Sequence, residues 1–459
     1  MKSYWQELPY KIKPVISQLG GGVNNGLPPF ELQENEATEQ KNCSSKKYPI
    51  HTVRPPRSDY STDLSGVIRH MGTRSDEYIT VVDGTAWKYW NGSVWVDILT
   101  GLTAANAKTI DFMGKTILVN GTDEKYWDGS TTGNVAGMPN SNFLAVHANR
   151  LYAASRDSQT LSFSALRIYN DWTTVDDAGS IVAETRDGEG CSGLTAFANH
   201  VVLFKEHSMH ELYGTGPRNY QFNTTSDQIG CISDRTIKEV KGRLFWLGYE
   251  GVYMYSGGVA PTLISFPLQG YIDRLDIANK LKACAGTDEE RYYISIPIDS
   301  GSKILCVYDT RFGKWYVEDD IKIVEFTEFQ NVLYGIAEDG QVKKMIDAAG
   351  GETIEWYWIS KSFNEGSLSQ KKEWYRLYFI VNLPTGSTLN VGLSNSVSGD
   401  DFTTIKTFSS SSAVFNQQIE IPLTIAQKAD WVRIKLSGTG PCDIHAMEKQ
   451  LRIRRESYA

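Results

Sequence analysis

VVDGTAWKYWNG, residues 81–92, and LVNGTDEKYWDG, residues 118–129, are two copies of one pattern. In each copy two glycines lie eight residues apart, and a Tyr-Trp pair lies just before the second glycine. A pattern that returns after 37 residues predicts a repeated structural unit rather than an isolated loop. The recurring residues include Thr85, Lys88, Tyr89 and Trp90 in the first copy, and Thr122, Lys125, Tyr126 and Trp127 in the second.

A strand-like motif extends this repeat along the chain. It is a polar residue or glycine, often followed by a basic residue, and then by β-branched or aromatic residues. It occurs seven times, at intervals of 38, 35, 50, 43, 48 and 41 residues. The copies are DEYITVV from Asp76, GKTILVN from Gly114, NRLYAAS from Asn149, NHVVLFK from Asn199, GRLFWLG from Gly242, ERYYISI from Glu290 and NVLYGIA from Asn331.

The spacing of the motif predicts the blades of a β-propeller. A turn and a second strand follow most copies, as in a β-meander, and four strands in about 40–45 residues match one blade. One blade cannot bury both faces of its sheet, so blades must stack around a ring. We therefore predict an all-β fold with six or seven blades, because the copy at Asp76 either forms a blade of its own or completes one that the N-terminal segment begins.

The composition agrees with a β-rich globular protein. The 459 residues include 24 Tyr, 12 Trp and 40 Gly, and hydrophobic residues make up 41%. Aromatic and β-branched residues suit pleated sheets, and glycine suits the turns between strands. The one good candidate for a helix is LQGYIDRLDIANKLKA, residues 268–283, which we interpret as a short connector.

Charge, cysteines and hydropathy narrow the class of protein. A formal net charge of -8 gives no overall positive field that would draw the chain onto nucleic acid. The six cysteines have no C-x-x-C spacing and are expected to be free, mostly buried thiols made in a reducing cytoplasm. No apolar run approaches the ~18 residues of a membrane helix, and MKSYWQELPYKIK lacks the apolar core of a signal peptide. We expect a soluble protein without a membrane segment.

Changes in amino-acid composition and residue pattern divide the chain into three parts. Residues 1–60 are rich in Gly, Asn, Pro and charge and are predicted to form an extended arm that docks on another surface. Such an arm should be removable, so deletion of residues 1–56 should leave the fold intact. Residues 61–351 are predicted to form the propeller. Residues 352–459 read as about seven alternating strands, which predicts a β-sandwich-like module.

The motifs of enzymes and metal sites are weak. The adjacent carboxylate pairs, such as Asp319-Asp320, should point to opposite faces of an extended segment and cannot flank one bond together. His207 and His210 are three apart in a predicted strand, which also places them on opposite faces. The run GGGVNNG, residues 20–26, lacks the strand-to-helix context of a phosphate-binding loop. We expect no enzymatic activity, no cofactor and no metal.

Two further groups of residues have both a structural and a functional interpretation. Tyr89, Trp90, Tyr126 and Trp127 could stack on sugar rings, but their recurrence in step with the blades favours packing between strands. At the C-terminus, Lys449, Arg452, Arg454 and Arg455 could form a solvated strand face or contact DNA phosphates or an acidic partner.

The chain also resembles a family of phage proteins. The resemblance lies in GGVNNGLPPFELQENEATEQKN (21–42) with VRPP (53–56), in NRLYAAS (149–155) followed by NDW (170–172), and in DIHAMEKQLRIR (443–454). These features are similar to the β-propeller structural proteins of short-tailed phages, called nozzle, tail-stabilisation or head-tail hub proteins. One departure is Pro56, where the family more often has glycine; proline cannot adopt positive φ, so the local turn must differ.

This resemblance implies a non-enzymatic virion protein of the tail or head-tail junction, made in the host cytoplasm. It implies a homo-oligomeric ring, commonly sixfold, below the portal and adaptor, which extends the DNA channel, helps to retain and deliver the genome, and can support fibres. Packaged DNA would pass without sequence-specific binding. The arm would contact a neighbouring subunit or the adaptor, through Gly20, Gly21, Val23, Asn24, Pro28, Phe30, Arg54 and Pro55.

Other functional classes remain open from the sequence alone. A carbohydrate-binding propeller or host-surface adhesin would bind sugar rings through the aromatic residues of the Tyr-Trp pairs, which would then have to be exposed. A glycoside hydrolase would need distant carboxylates to converge in the central channel. A general interaction propeller would share the same repeats without any connection to phages.

Overall fold

The structure is a computed structural model that describes residues 11–12, 19–185, 188–258, 260–423 and 428–453. Strands make up 49% of the described residues and helices 4%. The strands form seven four-stranded antiparallel sheets and two larger sheets. The prediction of an all-β fold is therefore confirmed.

The first five strands lie in the N-terminal segment and are short. They are β1 (Lys11–Ile12), β2 (Ala37–Lys41), β3 (Cys43–Ser44), β4 (His51–Val53) and β5 (Ser58–Asp59).

The next strands form the seven four-stranded sheets, which we call blades 1 to 7. Blade 1 contains β6 (Ile68–Arg74), β7 (Tyr78–Asp83), β8 (Ala86–Trp90) and β9 (Trp95–Leu99). Blade 2 contains β10 (Lys108–Phe112), β11 (Lys115–Val119), β12 (Glu124–Trp127) and β13 (Thr132–Asn134). Blade 3 contains β14 (Phe143–His147), β15 (Arg150–Ala154), β16 (Thr160–Phe163) and β17 (Gly179–Val182). Blade 4 contains β18 (Gly193–Phe197), β19 (His200–Phe204), β20 (Met209–Tyr213) and β21 (Gln221–Ser226).

The last three blades complete the set. Blade 5 contains β22 (Lys238–Val240), β23 (Arg243–Gly248), β24 (Gly251–Tyr255) and β25 (Thr262–Leu263). Blade 6 contains β26 (Cys284–Thr287), β27 (Arg291–Ile298), β28 (Ser302–Asp309) and β29 (Lys314–Val317). Blade 7 contains β30 (Ile323–Phe329), β31 (Val332–Ala337), β32 (Val342–Lys344) and, from the N-terminal segment, β5.

The blades follow one another around a closed ring. The first strand of each blade is innermost: β6 contacts β10, β10 contacts β14, β14 contacts β18, β22 contacts β26, β26 contacts β30, and β30 returns to β6. Blades 4 and 5 meet through side chains, where the rings of Phe204 and Trp246 lie 4.9 Å apart. This cyclic order is the architecture of a β-propeller.

Each copy of the strand motif found in the sequence is the second strand of a blade. The motif begins in the hairpin that leaves the innermost strand, and several of these hairpins have two consecutive residues with positive φ, as in Lys241-Gly242 and Gln330-Asn331. Two-residue turns of this kind favour glycine and asparagine, which explains the residue type at the start of the motif. The copy at Asp76 belongs to blade 1, and the N-terminal strand β5 closes blade 7 instead.

The remaining strands form two sheets that share one core. They are β33 (Glu355–Ser360), β34 (Lys372–Leu383), β35 (Thr388–Ser394), β36 (Thr403–Ser409), β37 (Val414–Pro422), β38 (Arg433–Thr439) and β39 (Asp443–Ile453). One sheet has the order β3-β4-β39-β34-β37, with β1 also paired to β39, and the other has the order β2-β33-β38-β35-β36. Trp356, Trp358 and Trp374 are buried between them. We call this part the sandwich.

The N-terminal segment differs from the predicted arm over its described residues. Strand β2 pairs with β33, β3 pairs with β4, and β4 pairs with β39, so the segment contributes strands to both sheets of the sandwich. Leu19, Ala37, Cys43 and Val53 are buried in the sandwich core. The segment alternates buried and exposed residues over lengths of only two to five, which is too short a pattern to identify as strands from the sequence.

Two smaller predictions are confirmed. All six cysteines are free and buried. Residues 266–282 form the connector between blades 5 and 6, with a short α-helix, Gln269–Ile272, between 3-10 turns at Phe266–Leu268 and Ile277–Lys282.

Candidate functional sites at the domain junction and in the propeller pore

The glycine run at the start of the described segment is bound by blade 6. The backbone carbonyl of Gly20 accepts a hydrogen bond from the Tyr316 hydroxyl at 2.6 Å, and the Val23 amide donates to the Trp315 carbonyl at 2.8 Å. Gly22 has φ +84, and a Cβ there would lie 2.5 Å from the Trp315 carbonyl oxygen. These glycines therefore permit a close approach to the protein's own propeller.

The residues predicted to contact a neighbouring subunit are, for the most part, occupied within the chain. Phe30 packs edge-on against Trp431, with 5.6 Å between ring centroids. The eight predicted contact residues differ in exposure. Pro28 is exposed, Phe30 and Pro55 are half-buried, and the rest are buried, namely Gly20, Gly21, Val23, Asn24 and Arg54.

A buried cluster of charges joins the segment to the propeller and to the start of the sandwich. Arg54 forms a two-pronged pair with Glu352, with Nη2–Oε1 at 2.7 Å and Nη1–Oε2 at 2.9 Å. Arg57 donates from Nη1 to Asp319 Oδ2 and from Nη2 to Glu318 Oε2, both at 2.6 Å. Paired guanidinium and carboxylate groups of this geometry are strong and directional. We call these five residues the junction cluster.

The pKa values of two carboxyl groups in the cluster are lowered, which favours their ionised form. Burial alone would raise the pKa of Asp319, but the Arg57 and Arg54 guanidinium groups outweigh it and hold that pKa below its usual range. Burial would also raise the pKa of Glu352, and hydrogen bonds from Arg54 and from the Arg57 amide lower it instead. The cluster thus pairs each carboxylate with an arginine, as a buried ion pair requires, and leaves only Arg57 Nε without a hydrogen-bond partner among the cluster's described, buried polar atoms.

Sequence reasoning selected Arg54 but missed its partners. The signal available was charge complementarity between VRPPR (53–57) and VEDD (317–320), two short runs of opposite sign. The expected divergence of Asp319 and Asp320 is confirmed, because Asp319 faces the arginines while Asp320 is exposed near Lys41, at 3.5 Å.

Lys449 is not a surface residue, which corrects its interpretation as a DNA contact. Its ammonium is buried, pairs with Glu365 at 3.0 Å and Glu34 at 3.4 Å, and lies 3.6 Å from the centre of the Phe363 ring. Alternation on β39 places Lys449 inward, a direction that the run of basic residues concealed. Arg452 is half-buried beside Glu373 in the strand register, and Arg454 and Arg455 lie outside the described residues.

The aromatic pairs lie at the seams between blades. The Trp90 ring is 6.5 Å from that of Tyr60, which precedes blade 1, and it is 8% exposed. The Trp127 ring of blade 2 is 5.2 Å from the Tyr89 ring of blade 1. Tyr126 is half-buried and packs on the core between blades 2 and 3. Both pairs therefore perform equivalent packing roles in successive blades.

His207 and His210 do not converge. His207 is exposed and its Nδ1 lies 2.5 Å from Glu189, whereas His210 is buried and bonds to Thr224 at 3.1 Å. Across the described part of the chain, no group of three or more His, Cys, Asp or Glu side chains is placed to bind a metal ion.

The middle of the propeller pore contains a polar cluster that the sequence did not reveal. Glu325 Oε2 lies 3.0 Å from His70 Nδ1 and 3.8 Å from Arg235 Nε, and it accepts from the Met71 amide at 3.0 Å. Burial would raise the pKa of Glu325, but the charges of His70 and Arg235 outweigh it and lower the pKa to about 2. His70 Nε2 also bonds Thr109 at 2.7 Å. His70, Thr109 and Glu325 lie on the innermost strands of three blades, and Arg235 lies just before the innermost strand of a fourth, so the contacts link separate blades.

The two ends of the pore differ in charge. Around the starts of the innermost strands lie Arg69, Arg235, Lys282 and Lys303, an end that we call the basic mouth. Deeper inside, burial and then the charge of nearby Lys108 lower the pKa of Lys238 to about 8. At the opposite end burial, followed by the charges of Glu289 and Asp76, raises the pKa of Glu328.

A second cavity lies between the N-terminal segment, blade 6 and the sandwich. This cleft has a volume of about 640 Å³ and is lined by residues that include Tyr271, Arg274, Asp320 and Arg433. Arg274 is already paired with Asp299, and Asp320 with Lys41. The charges of Arg274 and Asp320 are therefore balanced by partners within the protein.

Comparisons with known proteins identify no family. No protein-family profile and no curated protein sequence matches the chain. Solved structures with similar sheets include the extracellular domain of the putative one component system BT4673 from B. thetaiotaomicron, at 10% identity and TM-score 0.43, covering 70% of this chain and 42% of that one. BamB from Moraxella catarrhalis matches at 10% identity and TM-score 0.40, over 61% of this chain and 82% of its own.

These similarities concern architecture only. The chain spans less than half the length of the BT4673 domain that it matches. A chain of the Mitotic Checkpoint Complex matches at 10% identity and TM-score 0.42, covering 64% of this chain and 95% of that chain. Within the described residues, no helix is long and apolar enough to cross a membrane.

Proposed function

We propose that this protein is a non-enzymatic structural subunit of a bacteriophage tail or head-tail junction, in which copies form a ring that extends the DNA channel. The ring would help to retain and deliver the genome. The observation that carries the proposal is the path of residues 19–60, which add strands to both sheets of the sandwich and to blade 7. The junction cluster then holds the propeller and the sandwich together, which a subunit under mechanical force would need. The order of segment, propeller and β-module also matches the resemblance in sequence.

An exposed apolar surface on blade 3 supports contact between copies. The 15-residue loop between β16 and β17 presents Leu166, Ile168 and Val175, which are 46%, 42% and 85% exposed. The loop is anchored by Trp172, which is buried against blade 2 and donates from its indole nitrogen to the Tyr169 carbonyl at 3.1 Å. Exposed apolar groups on an anchored loop are typical of an interaction surface. A ring needs such a surface to meet a different surface of the next copy.

The proposed DNA path lies between copies rather than through one propeller. Within a single propeller, the buried side chains of His70, Arg235 and Glu325 pair with one another between the innermost strands. A ring of copies around an axis would enclose a wider channel, with the portal or adaptor above it and fibres on its outer surface. Arg452 on β39 is a candidate for contact with DNA or with one of these partners.

Electron microscopy of the particle that contains the chain tests this proposal. An antibody against the chain should label the tail or the neck of the particle, with several copies around one axis. Label on the capsid wall, or absence of the chain from purified particles, would contradict it.

Substitutions in the blade 3 loop test the contact between copies. Leu166→Asp combined with Val175→Asp should prevent ring formation, because charges would then be buried in the contact, while circular dichroism and melting of the monomer stay unchanged. Mass photometry measures the oligomers. Val94→Asp, at an equally exposed position on blade 1, is the matched control and should assemble normally. Rings of normal size formed by the double variant would remove this loop from the interface.

The alternative, a carbohydrate-binding propeller or host-surface adhesin, loses its best sequence support. Trp90 and Trp127 are buried at blade seams and cannot stack on a sugar without unpacking. A glycan array probed with the isolated chain separates the two functions, since specific binding of a glycan would favour the adhesin.

A further inference from the structure

The basic mouth of the pore has an excess of positive charge that the protein does not neutralise. It surrounds a cavity of about 560 Å³ at the starts of the innermost strands. Four cationic side chains line it, with a single carboxylate, that of Glu338. This excess stands out because the whole chain has a formal net charge of -8. A cavity of this size is within the range of small-molecule sites, about 300–1,000 Å³.

The cationic groups are positioned by backbone contacts, which leaves donors free for a ligand. Arg69 donates from Nε to the Gly84 carbonyl at 3.0 Å, and its two terminal nitrogens have no protein partner within the described ranges. Arg235 donates from Nη2 to the Arg69 carbonyl, which ties the Arg235 guanidinium to the backbone of the residue that carries the other arginine side chain. Neighbouring arginines are suited to oxygen anions because their planar donors match the geometry of phosphate.

The lysines complete the wall on the opposite side. Lys303 is 4% exposed, and its ammonium donates to the Lys282 carbonyl at 3.0 Å and to the Ile323 carbonyl at 2.5 Å. Glu338 lies 4.0 Å from this ammonium, too far for a hydrogen bond. Lys282 is exposed and belongs to the connector between blades 5 and 6, so its side chain can reach a ligand in the mouth. Lys303 therefore keeps one donor, and Lys282 all three.

We infer that the basic mouth binds a small ligand with one or two phosphate groups, held by Arg69, Arg235, Lys282 and Lys303. Glu338 lines the mouth and Glu325 lies 3.8 Å from Arg235, so two carboxylates face four cations and an excess of two charges remains. A phosphate monoester carries about -1.5 to -2 near pH 7, so one or two such groups offset the excess. The wall otherwise offers amides, such as that of Asn106, and aliphatic groups such as Val67 and Leu281, which suit a compact ligand. This site is independent of the ring proposed above.

Isothermal titration calorimetry with inorganic pyrophosphate tests the inference. The full-length protein should bind pyrophosphate with one site per chain, more weakly as the salt concentration rises. Arg69→Gln combined with Lys282→Gln should weaken binding by about tenfold or more, because two charge-assisted contacts are lost. Lys282 is exposed, so Lys282→Gln alone should retain the fold and still weaken binding.

The matched control is Lys241→Gln, which removes the same charge at the other end of the pore. Lys241 lies between β22 and β23 and is exposed, 3.7 Å from Glu290. The affinity of the Lys241→Gln variant for pyrophosphate should equal that of the unmodified protein. The inference is overturned if pyrophosphate does not bind at low salt, if the double variant binds as tightly as the unmodified protein, or if Lys241→Gln weakens binding equally. Binding of a DNA oligonucleotide but not of pyrophosphate would also overturn it, since the ligand would then be a nucleic-acid backbone.

Discussion

A tryptophan at a blade seam stabilises two sheets at once. Trp90 belongs to β8, yet its ring contacts Trp95 of the next strand, with 5.3 Å between centroids, and approaches Tyr60 of the N-terminal segment. Truncation would therefore leave a cavity where blade 1 meets the closing segment of blade 7. The same residue type at the same turn in blade 2, Trp127, contacts blade 1 instead.

Trp90→Ala should lower the free energy of unfolding by about 3–5 kcal/mol, because a large buried ring is replaced by a cavity. Urea unfolding followed by far-ultraviolet circular dichroism measures the change. Val94→Ala, in the exposed turn that follows, should stay within about 0.5 kcal/mol. A loss below about 1 kcal/mol for Trp90→Ala would place the ring at the surface and reopen the sugar-binding interpretation.

The junction cluster predicts how stability depends on pH. The folded pKa of Asp319 is lowered, so its ionisation stabilises the fold above its unfolded pKa of about 3.9. That stabilisation is lost as the pH falls through the folded pKa. Arg57→Gln should cost about 3–5 kcal/mol at pH 7, since it leaves buried carboxylates without their partner. The difference between the two proteins should shrink as the pH is lowered below about 4, where Asp319 of the unfolded chain begins to bind a proton while that of the folded protein is still ionised.

An exposed ion pair provides the control for this pH dependence. Arg274 and Asp299 are each nearly half exposed. Arg274→Gln should change the free energy of unfolding by less than about 1 kcal/mol at any pH, because solvent screens the pair. Urea unfolding at pH 7 and pH 3 compares the variants. Equal effects of Arg57→Gln and Arg274→Gln would mean that the junction cluster is hydrated and contributes little.

At the scale of elements, the N-terminal strands decide whether the sandwich is complete. Strand β2 supplies one edge of one sheet, and β3 and β4 supply the edge of the other. Their removal would expose the edges of β33 and β39 together with the core residues beneath them. Uncovered edge strands promote aggregation.

Deletion of residues 1–56 should therefore destabilise the sandwich and cause aggregation, contrary to the expectation from sequence that the fold would survive. Size-exclusion chromatography and thermal melting measure this. Point substitutions separate burial from chain length: Ala37→Asp places a charge in the core and should have a similar effect, whereas Glu39→Ala on the same strand is exposed and should melt normally. A truncated protein that melts like the full chain would restore the removable arm.

The sequence predicted those elements that obey a long and regular pattern. The second strand of each blade, and all seven strands of the sandwich after residue 352, were visible because alternation and turn residues recur there. The two- to five-residue strands of the N-terminal segment were not visible, because they are short and most of them pair with strands far along the chain, as with Lys41 and Tyr357. A local sequence pattern carries no information about contacts between such distant residues.

The candidate sites follow the same rule. Arg54 could be singled out from the sequence, but its partners Glu352 and Asp319 are distant in the chain. Lys449 was misjudged because a run of basic residues looks solvated until the strand register shows which of them face inward. The basic mouth assembles from four separate blade starts and connectors, and no stretch of sequence contains two of its cations in a recognisable motif.

At the scale of the whole molecule, the two ends of the pore differ in charge, so the propeller is electrostatically polar along its axis. Cations lie around one mouth, and Glu289 and Glu328 lie near the other. An oriented distribution of charge steers charged molecules to one face at long range, and salt reduces the effect. In a ring of copies this polarity would be repeated at every subunit with the same sense.

The pairing of the first strands with the last also sets the order in which the molecule can be completed. During synthesis, residues 37–53 leave the ribosome early, but their partners in β33 and β39 follow only at residues 355–360 and 443–453. Blades 1 to 6 can form while the chain is still growing, because their contacts are local. Blade 7 needs β5, which is synthesised long before its partner β32, and the sandwich needs the end of β39. Blade 7 can therefore close only after β32 has been translated, and the sandwich only after β39. The strands that are synthesised first are thus paired last, so a chain that stops before β39 has its blades without a finished sandwich.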